Sequence, residues 1–363
     1  MKSDKYCVIM AGGTGTRFWP LSTKSKPKQF LDILGTGRTL LQQTFDRMIR
    51  VCPVENVFIV TNEIYREVVS EQLPELKEHQ ILLEPHKKNT APCIAYANYK
   101  IEQLNPDANI VVSPSDHLIQ KEDEFVRVIN EGLEFTGQTD ALLTLGIKPH
   151  RPETGYGYIQ RNNNEEVTQS NNIFKVKTFT EKPNYELAKK FYESGEYYWN
   201  SGIFLWSLKS IMKAFGKYLP EIDNLFKQGQ SLYHTNKEQD FISKVYFESN
   251  SISIDYGIME KSENVYVYTS DFGWADLGTW GSLQEFLDTD EKGNSVKGEN
   301  VMLYDVEDSI INFSGDKLVV IKGLKDYIIV ESDNKLIIYN KEDEQEIKEV
   351  VEEIKKTKGE DYI

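Results

Sequence analysis

Cysteine is scarce and scattered: the chain has three, Cys7, Cys52 and Cys93, far apart and never in a C-x-x-C pair. An odd, dispersed set excludes a disulfide framework and a thiolate zinc site and reads as reduced core residues. The five histidines, His79, His86, His117, His150 and His234, make no H-x₃-H spacing, so no structural zinc is expected. No run approaches the roughly 18 apolar residues of a spanning helix. The start MKSDKYCVIM also lacks an apolar segment followed by a cleavage site. Positive charge is in the minority, with 42 Lys and Arg against 57 Asp and Glu and a net charge of −15. That balance opposes binding to bulk nucleic acid or to an anionic membrane surface. The expectation is a soluble, cytoplasmic protein with no nucleic-acid and no membrane partner.

Two familiar phosphate loops are missing as well. G-x-G-x-x-G can begin at Gly13 and Gly15 but finds Phe18 at its third glycine, and G-x-x-x-x-G-K-[ST] has no match. The absent third glycine argues against a dinucleotide-dependent oxidoreductase, the rival from a different class.

What is present begins with the apolar run Cys7-Val8-Ile9-Met10, which stops at Gly12-Gly13-Thr14-Gly15. This reads as a buried parallel strand emptying into a glycine loop. Glycines there permit positive φ and remove Cβ atoms, so successive N–H groups can turn toward one anion. Arg17 and Lys28 bring fixed positive charge to the same stretch, a combination suited to a nucleoside triphosphate.

With 363 residues, 39% of them apolar, and 17 Phe, 20 Tyr and 5 Trp, the chain can bury a substantial core, enough for one large domain and a smaller one. Helical spacing marks 40–52, 64–73, 89–104, 125–135 and 185–194, with Asn184 as an N-cap, and again 208–219 and 222–232. Apolar runs at 57–61, 81–83, 110–113, 141–147, 158–160, 173–180, 203–206 and 265–269 read as strands. Strand alternating with helix predicts an α/β fold, a Rossmann-like, mostly parallel sheet with helices on both faces. The segment 161–172 reads as polar turn material, and 274–280 as a loop. Composition shifts to charge and glycine near 288–298, dividing a catalytic domain, 1–290, from a small β-rich domain, 291–363. The latter holds five short strand-like runs and a closing charged helix over 342–356.

Ligands of open α/β sheets bind beyond the carboxyl ends of the strands, which singles out Asp116 after 110–113. Asp276 lies in a second polar loop beside a strand. Two such carboxylates suit Mg²⁺ or another divalent cation, which commonly takes one or two carboxylates plus substrate phosphates.

The motif G-G-x-G-T-R-x-x-P-L, Gly12 to Leu21, with Pro27-Lys28-Gln29, resembles the nucleotide loop of sugar-1-phosphate nucleotidylyltransferases, specifically the mannose-1-phosphate guanylyltransferases (GDP-mannose pyrophosphorylases). The resemblance continues, in order, through Glu84-Pro85 with Asn89-Thr90-Ala91, Pro114-x-Asp116-His117 and Gly155-Tyr156-Gly157-Tyr158-Ile159. It goes on through Glu181-Lys182-Pro183, the run from Trp199-Asn200 to Phe204, Ser253-Ile254-Asp255-Tyr256, and Trp274-x-Asp276-x-Gly278-x-Trp280. It implies a nucleotide-diphospho-sugar transferase fold, with a small C-terminal left-handed β-helix used in homodimerisation. It also implies the reaction GTP + α-D-mannose 1-phosphate → GDP-mannose + diphosphate, with Asp116 and Asp276 as metal ligands and Glu84 and Asn89 near the purine.

The attacking sugar phosphate is already an anion, so cations and positioning carry the chemistry rather than a strong base. The loop at Gly12, Gly13, Gly15 and Thr16, with Arg17, would hold the β- and γ-phosphates, and Lys28 the α-phosphate. Glu181 and Asn200 would bind sugar hydroxyls with the turn at Gly155, and Lys182 would meet the sugar phosphate. Composition does not choose guanine over another base, so UTP or dTTP with glucose 1-phosphate remains the rival pair. A catalytically silent regulatory homologue is opposed by the intact Lys28, Asp116, Lys182 and Asp276. Longer members of the family append a phosphomannose isomerase domain, for which the chain to Ile363 leaves no room, so isomerase activity is not expected.

Overall fold

The structure, a computed structural model, describes residues 4–13, 15–166, 172–313 and 315–363, with the backbone alone at 163–166. Thr14 of the glycine loop and most of the SNN run (170–172) lie outside the described residues. By internal contacts the chain forms two units. One holds Met1–Gly12, Thr44–Ser115 and Ile119–Trp274, and the other Gly13–Gln43, Asp116–Leu118 and Ala275–Ile363.

The first unit is a nine-stranded sheet with helices. Its strands are β1 (Lys5–Met10), β2 (Val57–Asn62), β3 (Ile81–Glu84), β4 (Asn109–Pro114), β6 (Leu142–Ile147), β7 (Tyr158–Glu166), β8 (Ile173–Thr180), β9 (Tyr197–Ser207) and β10 (Val265–Ser270). Its helices are α2 (Arg66–Gln72), α3 (Thr90–Glu102), α4 (Glu122–Gln138), α5 (Tyr185–Ser194), α6 (Leu208–Tyr218), α7 (Pro220–Lys227) and α8 (Glu238–Glu248). Helix α1 (Leu40–Met48) and the two-residue strands β5 (Leu118–Ile119) and β11 (Trp274–Ala275) fall at unit boundaries. The strand order is β3-β2-β1-β4-β9-β6-β10-β8-β7. The half β3-β2-β1-β4 is parallel, as expected. The other half corrects the expectation of a mostly parallel sheet. β9 runs antiparallel to both β4 and β6, and β8 antiparallel to β10 and β7. An antiparallel neighbour needs no crossover helix, so β9 can enter between two strands that are themselves part of βα repeats. Strand β7 continues past Gln160 into the asparagine run through two register shifts, which a polar strand at a sheet edge tolerates.

Helix α3 shows why the chain folds this way locally. The Asn89 side chain accepts from Thr90 N–H, and Pro92 sits in the first turn, where a missing N–H costs nothing. Ala91, Ala95 and Ala97 are fully buried, small enough to let the helix lie against the sheet. It packs with Val8, Val60, Val112, Trp206 and Phe226 in the main core. Asn184 caps α5 by accepting from Leu187 N–H, as predicted. The helix expected over 222–232 ends at Lys227. Gly229 follows, and a Cβ there would collide with the Phe241 ring. That ring belongs to α8, a helix the sequence pattern did not single out.

In the second unit, β12 (Ser295–Lys297), β14 (Ile310–Asn312) and β16 (Tyr327–Ser332) pair in parallel, and β17 (Lys335–Asn340) closes that sheet antiparallel. β13 (Val301–Tyr304) pairs in parallel with β15 (Val319–Lys322). Alternate strands therefore stack on one another. A short helix, α9 (Trp280–Gln284), precedes these strands. The closing helix is α10 (Ile347–Lys358), preceded by the 3₁₀ turn Lys341–Glu346. Ile347 and Val351 of α10 share a core with Phe18, Trp19, Trp280, Ile310 and Ile328. The loop after the glycines is thereby seated on the C-terminal elements.

Candidate active site

In the second unit the loop is shaped by Gly15, at φ 57° and ψ 30°, which opens the 3₁₀ turn Thr16–Phe18. A Cβ on Gly15 would lie 3.0 Å from the Lys28 amide nitrogen and closer still to the Lys28 side chain. Conformation and space both demand glycine there. The buried Gln29 donates to the Gly13 carbonyl (2.9 Å) and Ser22 to the Gly15 carbonyl (2.5 Å), pinning the loop. Arg17 is exposed and makes no ion pair among the described residues.

Lys28 is different: it is buried, and its ammonium is ringed by oxygens. Nζ lies 2.9 Å from Asp116 Oδ2 and donates to the carbonyls of Asp276 (2.7 Å) and Leu277 (3.1 Å). The Phe18 ring lies beneath it at 5.8 Å. Two successive carbonyls can point at one nitrogen because Leu277 adopts φ 47°, a conformation that costs a residue with a side chain about 1–3 kcal/mol. Burial opposes ionisation of Asp116, but the Lys28 ammonium and then His117 outweigh it and hold the carboxyl below its ordinary range. The Asp276 carboxylate accepts from Gly278 N–H (2.9 Å). Lys28, Asp116 and Asp276, far apart in sequence, are thus one cluster.

The described residues contain no group of three or more His, Cys, Asp or Glu side chains able to hold a metal. Asp116 lies beside the Lys28 ammonium through its carboxylate and Asp276 through its backbone carbonyl, and two such hard carboxylates are a donor set that fits a Mg²⁺ completing its shell with water and phosphate oxygens.

In the first unit, Gly12 and Glu84 adjoin. A Cβ on Gly12 would lie 3.2 Å from Glu84 Oε2. Glu84 is buried at the end of β3 and accepts from the Tyr246 hydroxyl at 3.0 Å. Burial pushes its carboxyl up to about 7, against the opposing pull of that hydrogen bond and of Lys87. Asn89 stands at φ 70° and ψ −169°, a region sparsely populated outside glycine. Next to it, Thr90 Oγ1 accepts from Ile254 N–H (2.8 Å), tying the head of α3 to the segment carrying Asp255.

The third group, also in the first unit, gathers Glu181, Lys182 and Asn200. Gly157 is the glycine that makes room here, because a Cβ on it would overlap Glu181 Oε2 and lie 3.3 Å from Asn200 Cβ. Gly155 is exposed, and its N–H donates to Glu153 (2.9 Å) instead. Glu181 is largely buried, its carboxyl raised by burial against the pull of Lys182, whose Nζ stands 3.4 Å away. Lys182 is exposed and has φ 44°. Asn200 donates to Asp255 Oδ1 at 2.8 Å and accepts from Thr144 at 3.0 Å. Trp199, Trp206 and Trp280 are core. Tyr156 packs edge-on against Trp199 and Trp274, at 5.1 and 5.2 Å.

Sequence reasoning did not assign roles to Thr144, Tyr246 or Asp255. The only advance signal was the Ser253-Ile254-Asp255-Tyr256 motif.

The nucleotidyl transferase family matches residues 6–293. A mannose-1-phosphate guanylyltransferase of Escherichia coli is 35% identical over 361 residues, 98% of this chain and 76% of that protein. The xanthan biosynthesis protein XanB of Xanthomonas campestris pv. campestris is 37% identical over 356 residues, 97% of this chain and 74% of that protein. The crystal structure of a mannose-1-phosphate geranyltransferase from Thermus thermophilus has a TM-score of 0.85 at 28% identity, covering 97% of this chain and 100% of that chain. Likeness along nearly the whole length places the chain in the nucleotidyl transferase family, among the mannose-1-phosphate guanylyltransferases.

Proposed function

We propose that the protein catalyses GTP + α-D-mannose 1-phosphate → GDP-mannose + diphosphate. The observation that carries the reading is the buried ammonium of Lys28 beside Asp116 and the Asp276 loop, a fixed positive charge held by the glycine loop's own unit. A phosphate oxygen of the sugar phosphate attacks the α-phosphorus in line. One P–O bond forms, the bond to the β-phosphate oxygen breaks, and diphosphate leaves with that electron pair. The nucleophile is anionic, so no proton need be removed; the barrier is charge repulsion and alignment.

Gly13, Gly15 and Thr16 offer N–H groups to the β- and γ-phosphates, with Arg17 exposed for the same anions. Lys28 meets the α-phosphate. Asp116 and Asp276 would hold the divalent cation, which when bound supplies charge neutralisation on the triphosphate. Glu84 and Asn89 belong to the purine side. Glu181 and Asn200 take sugar hydroxyls, and Lys182 the sugar phosphate. The stacking of alternate strands supports a β-helix in the C-terminal part. Paired exposed residues Met302 and Val320 on β13 and β15 offer it a surface for a homodimer. In that case Met302→Glu with Val320→Glu yields a species sedimenting at half the mass, and an unchanged sedimentation places the contact elsewhere. No helix among the described residues is long and apolar enough to cross a membrane, in keeping with a cytoplasmic enzyme.

The test is diphosphate release from a matrix of GTP, UTP and dTTP against mannose 1-phosphate and glucose 1-phosphate. The expected result is turnover highest for GTP with mannose 1-phosphate. Highest turnover with UTP or dTTP would reassign the substrates, and no release from any pair would overturn the reading.

A further inference from the structure

We propose that Asp255 is a positioning residue for the sugar phosphate: it fixes the Asn200 carboxamide in one orientation and stands with Glu181 in one carboxyl cluster around that amide. The proposal rests on the assignment of Glu181 and Asn200 to the sugar.

A carboxamide is nearly symmetric in shape and opposite in polarity at its two ends, so at a hydroxyl-binding position something must decide which end faces the ligand. Here the surroundings decide it. Asn200 Oδ1 accepts from Gly202 N–H (3.2 Å) and from Thr144 Oγ1 (3.0 Å). Nδ2 donates one hydrogen to Asp255 Oδ1 at 2.8 Å. One N–H of Asn200 is then left to donate, with its direction set. Turning the amide over would place its NH₂ against Gly202 N–H whatever the charge on Asp255, and its oxygen against a carboxylate whenever Asp255 is ionised.

Asp255 is itself held in place. It begins the π-type turn Asp255–Met259, a feature frequent at functional sites. The preceding residue, Ile254, is bound through its N–H to Thr90. Gly157, which has no side chain, leaves the volume in which Glu181 Oε2 and Asn200 Cβ come together.

Two carboxyls in one poorly hydrated cluster do not ionise independently. Burial and then the Glu181 charge push Asp255 up to about 7, against the Asn200 hydrogen bond, and burial raises Glu181 as well. Of the other charged groups facing the pair, Lys182 favours ionisation and Glu260 opposes it. Near neutral pH the pair therefore carries fewer than two negative charges, which suits a site that must admit a phosphate dianion. Ionisation of both carboxyls should repel it.

The experiment compares wild type, Asp255→Asn, Asp255→Ala and Thr144→Val by diphosphate release, with thermal melts of each. Asp255→Ala frees the amide, and KM for the sugar phosphate should rise on the order of ten- to a hundredfold while KM for GTP stays within about twofold. Thr144→Val, acting on the other end of the amide, should shift the same KM in the same direction. Asp255→Asn can still accept from Nδ2 but cannot ionise. Its kcat/KM for the sugar phosphate, divided by that of wild type, should rise as pH passes from about 6 to about 8.5. The ratio cancels titration of the substrate itself.

A flat ratio, or a sugar-phosphate KM within about twofold of wild type in both Asp255 variants, would overturn the proposal with the enzyme's function intact. A wild type that releases no diphosphate would instead overturn the functional reading on which it rests.

Discussion

Replacing Glu84 by Gln should make the protein more stable at alkaline pH and leave it nearly unchanged in mild acid. Glu84 is 7% exposed at the end of β3, and its carboxyl is pushed by burial from 4.5 up to about 7. The direction matters here, because a raised carboxyl holds its proton in the folded state while the unfolded chain gives it up. Below about 4.5 both states are protonated and the group contributes nothing. Between 4.5 and about 7 stability falls as pH rises, and above about 7 the whole cost of burying the charge is present. That interval, at about 1.4 kcal/mol for each pH unit, is worth on the order of 3 kcal/mol. Gln keeps the oxygen that accepts from Tyr246 and carries no charge at any pH.

Urea unfolding of both proteins at about pH 5 and about pH 8.5 should show the variant gaining on the order of 2–3 kcal/mol relative to wild type across that range. Asp255, also raised to about 7, is present in both proteins and cancels. Parallel stability curves, with the variant displaced by the same amount at every pH, would refute the claim that Glu84 is buried at a cost.

Arg17→Ala removes an exposed cation assigned to the triphosphate. KM for GTP should rise roughly ten- to a hundredfold, the equivalent of losing one charge-assisted contact of about 1.5–3 kcal/mol, and an unchanged value refutes the role. Gly157→Ala puts a methyl where Glu181 Oε2 lies. KM for mannose 1-phosphate should rise with a stability loss of about 1–3 kcal/mol, and a variant kinetically equal to wild type would show that Glu181 does not need that space. Asp116→Asn and Asp276→Asn should each lower turnover about 10²–10³-fold. If they share one ion, the double variant should be far less damaged than the product of the singles; multiplicative losses, or activity in excess chelator, would dissolve the pair.

How much of this was readable in advance depends on whether a constraint is written locally. Gly15 was legible because a strand ending in glycines announces a backbone turn, and the structure places it at φ 57°. Asn184 was legible for the same reason, since a cap acts within three residues. The antiparallel entry of β9 was not, because its apolar core, Ile203–Trp206 in sequence, reads the same for either strand direction and only its neighbours β4 and β6 decide. Helix α8 was missed because most of its burial comes from Ile242, Val245 and Tyr246, too few to stand out from its polar faces. The range 291–363 was recognisable as β-rich. Nothing in its spacing told that Ile310, Ile328, Ile347 and Val351 would share a core with Phe18 and Trp280.

That shared core bears on how the site can be dissected. Cutting the chain near Gly298 looks from the sequence like the removal of an appendage, but it would strip those four side chains from Phe18, over whose ring the Lys28 ammonium lies at 5.8 Å. A buried ammonium is tolerated only while its partners are in place, and leaving one uncompensated costs about 3–5 kcal/mol. Lys28 depends on Asp116 and on the carbonyls of Asp276 and Leu277, and Leu277 is fully buried in the same cluster as Phe18 and Ile328. The charge that the chemistry calls for is therefore held in position by the C-terminal strands and helix α10. For that reason the proposed self-association surface is better probed by point changes at the exposed Met302 and Val320 than by truncation, which would remove the proposed dimer contact and the seat of Lys28 in one step.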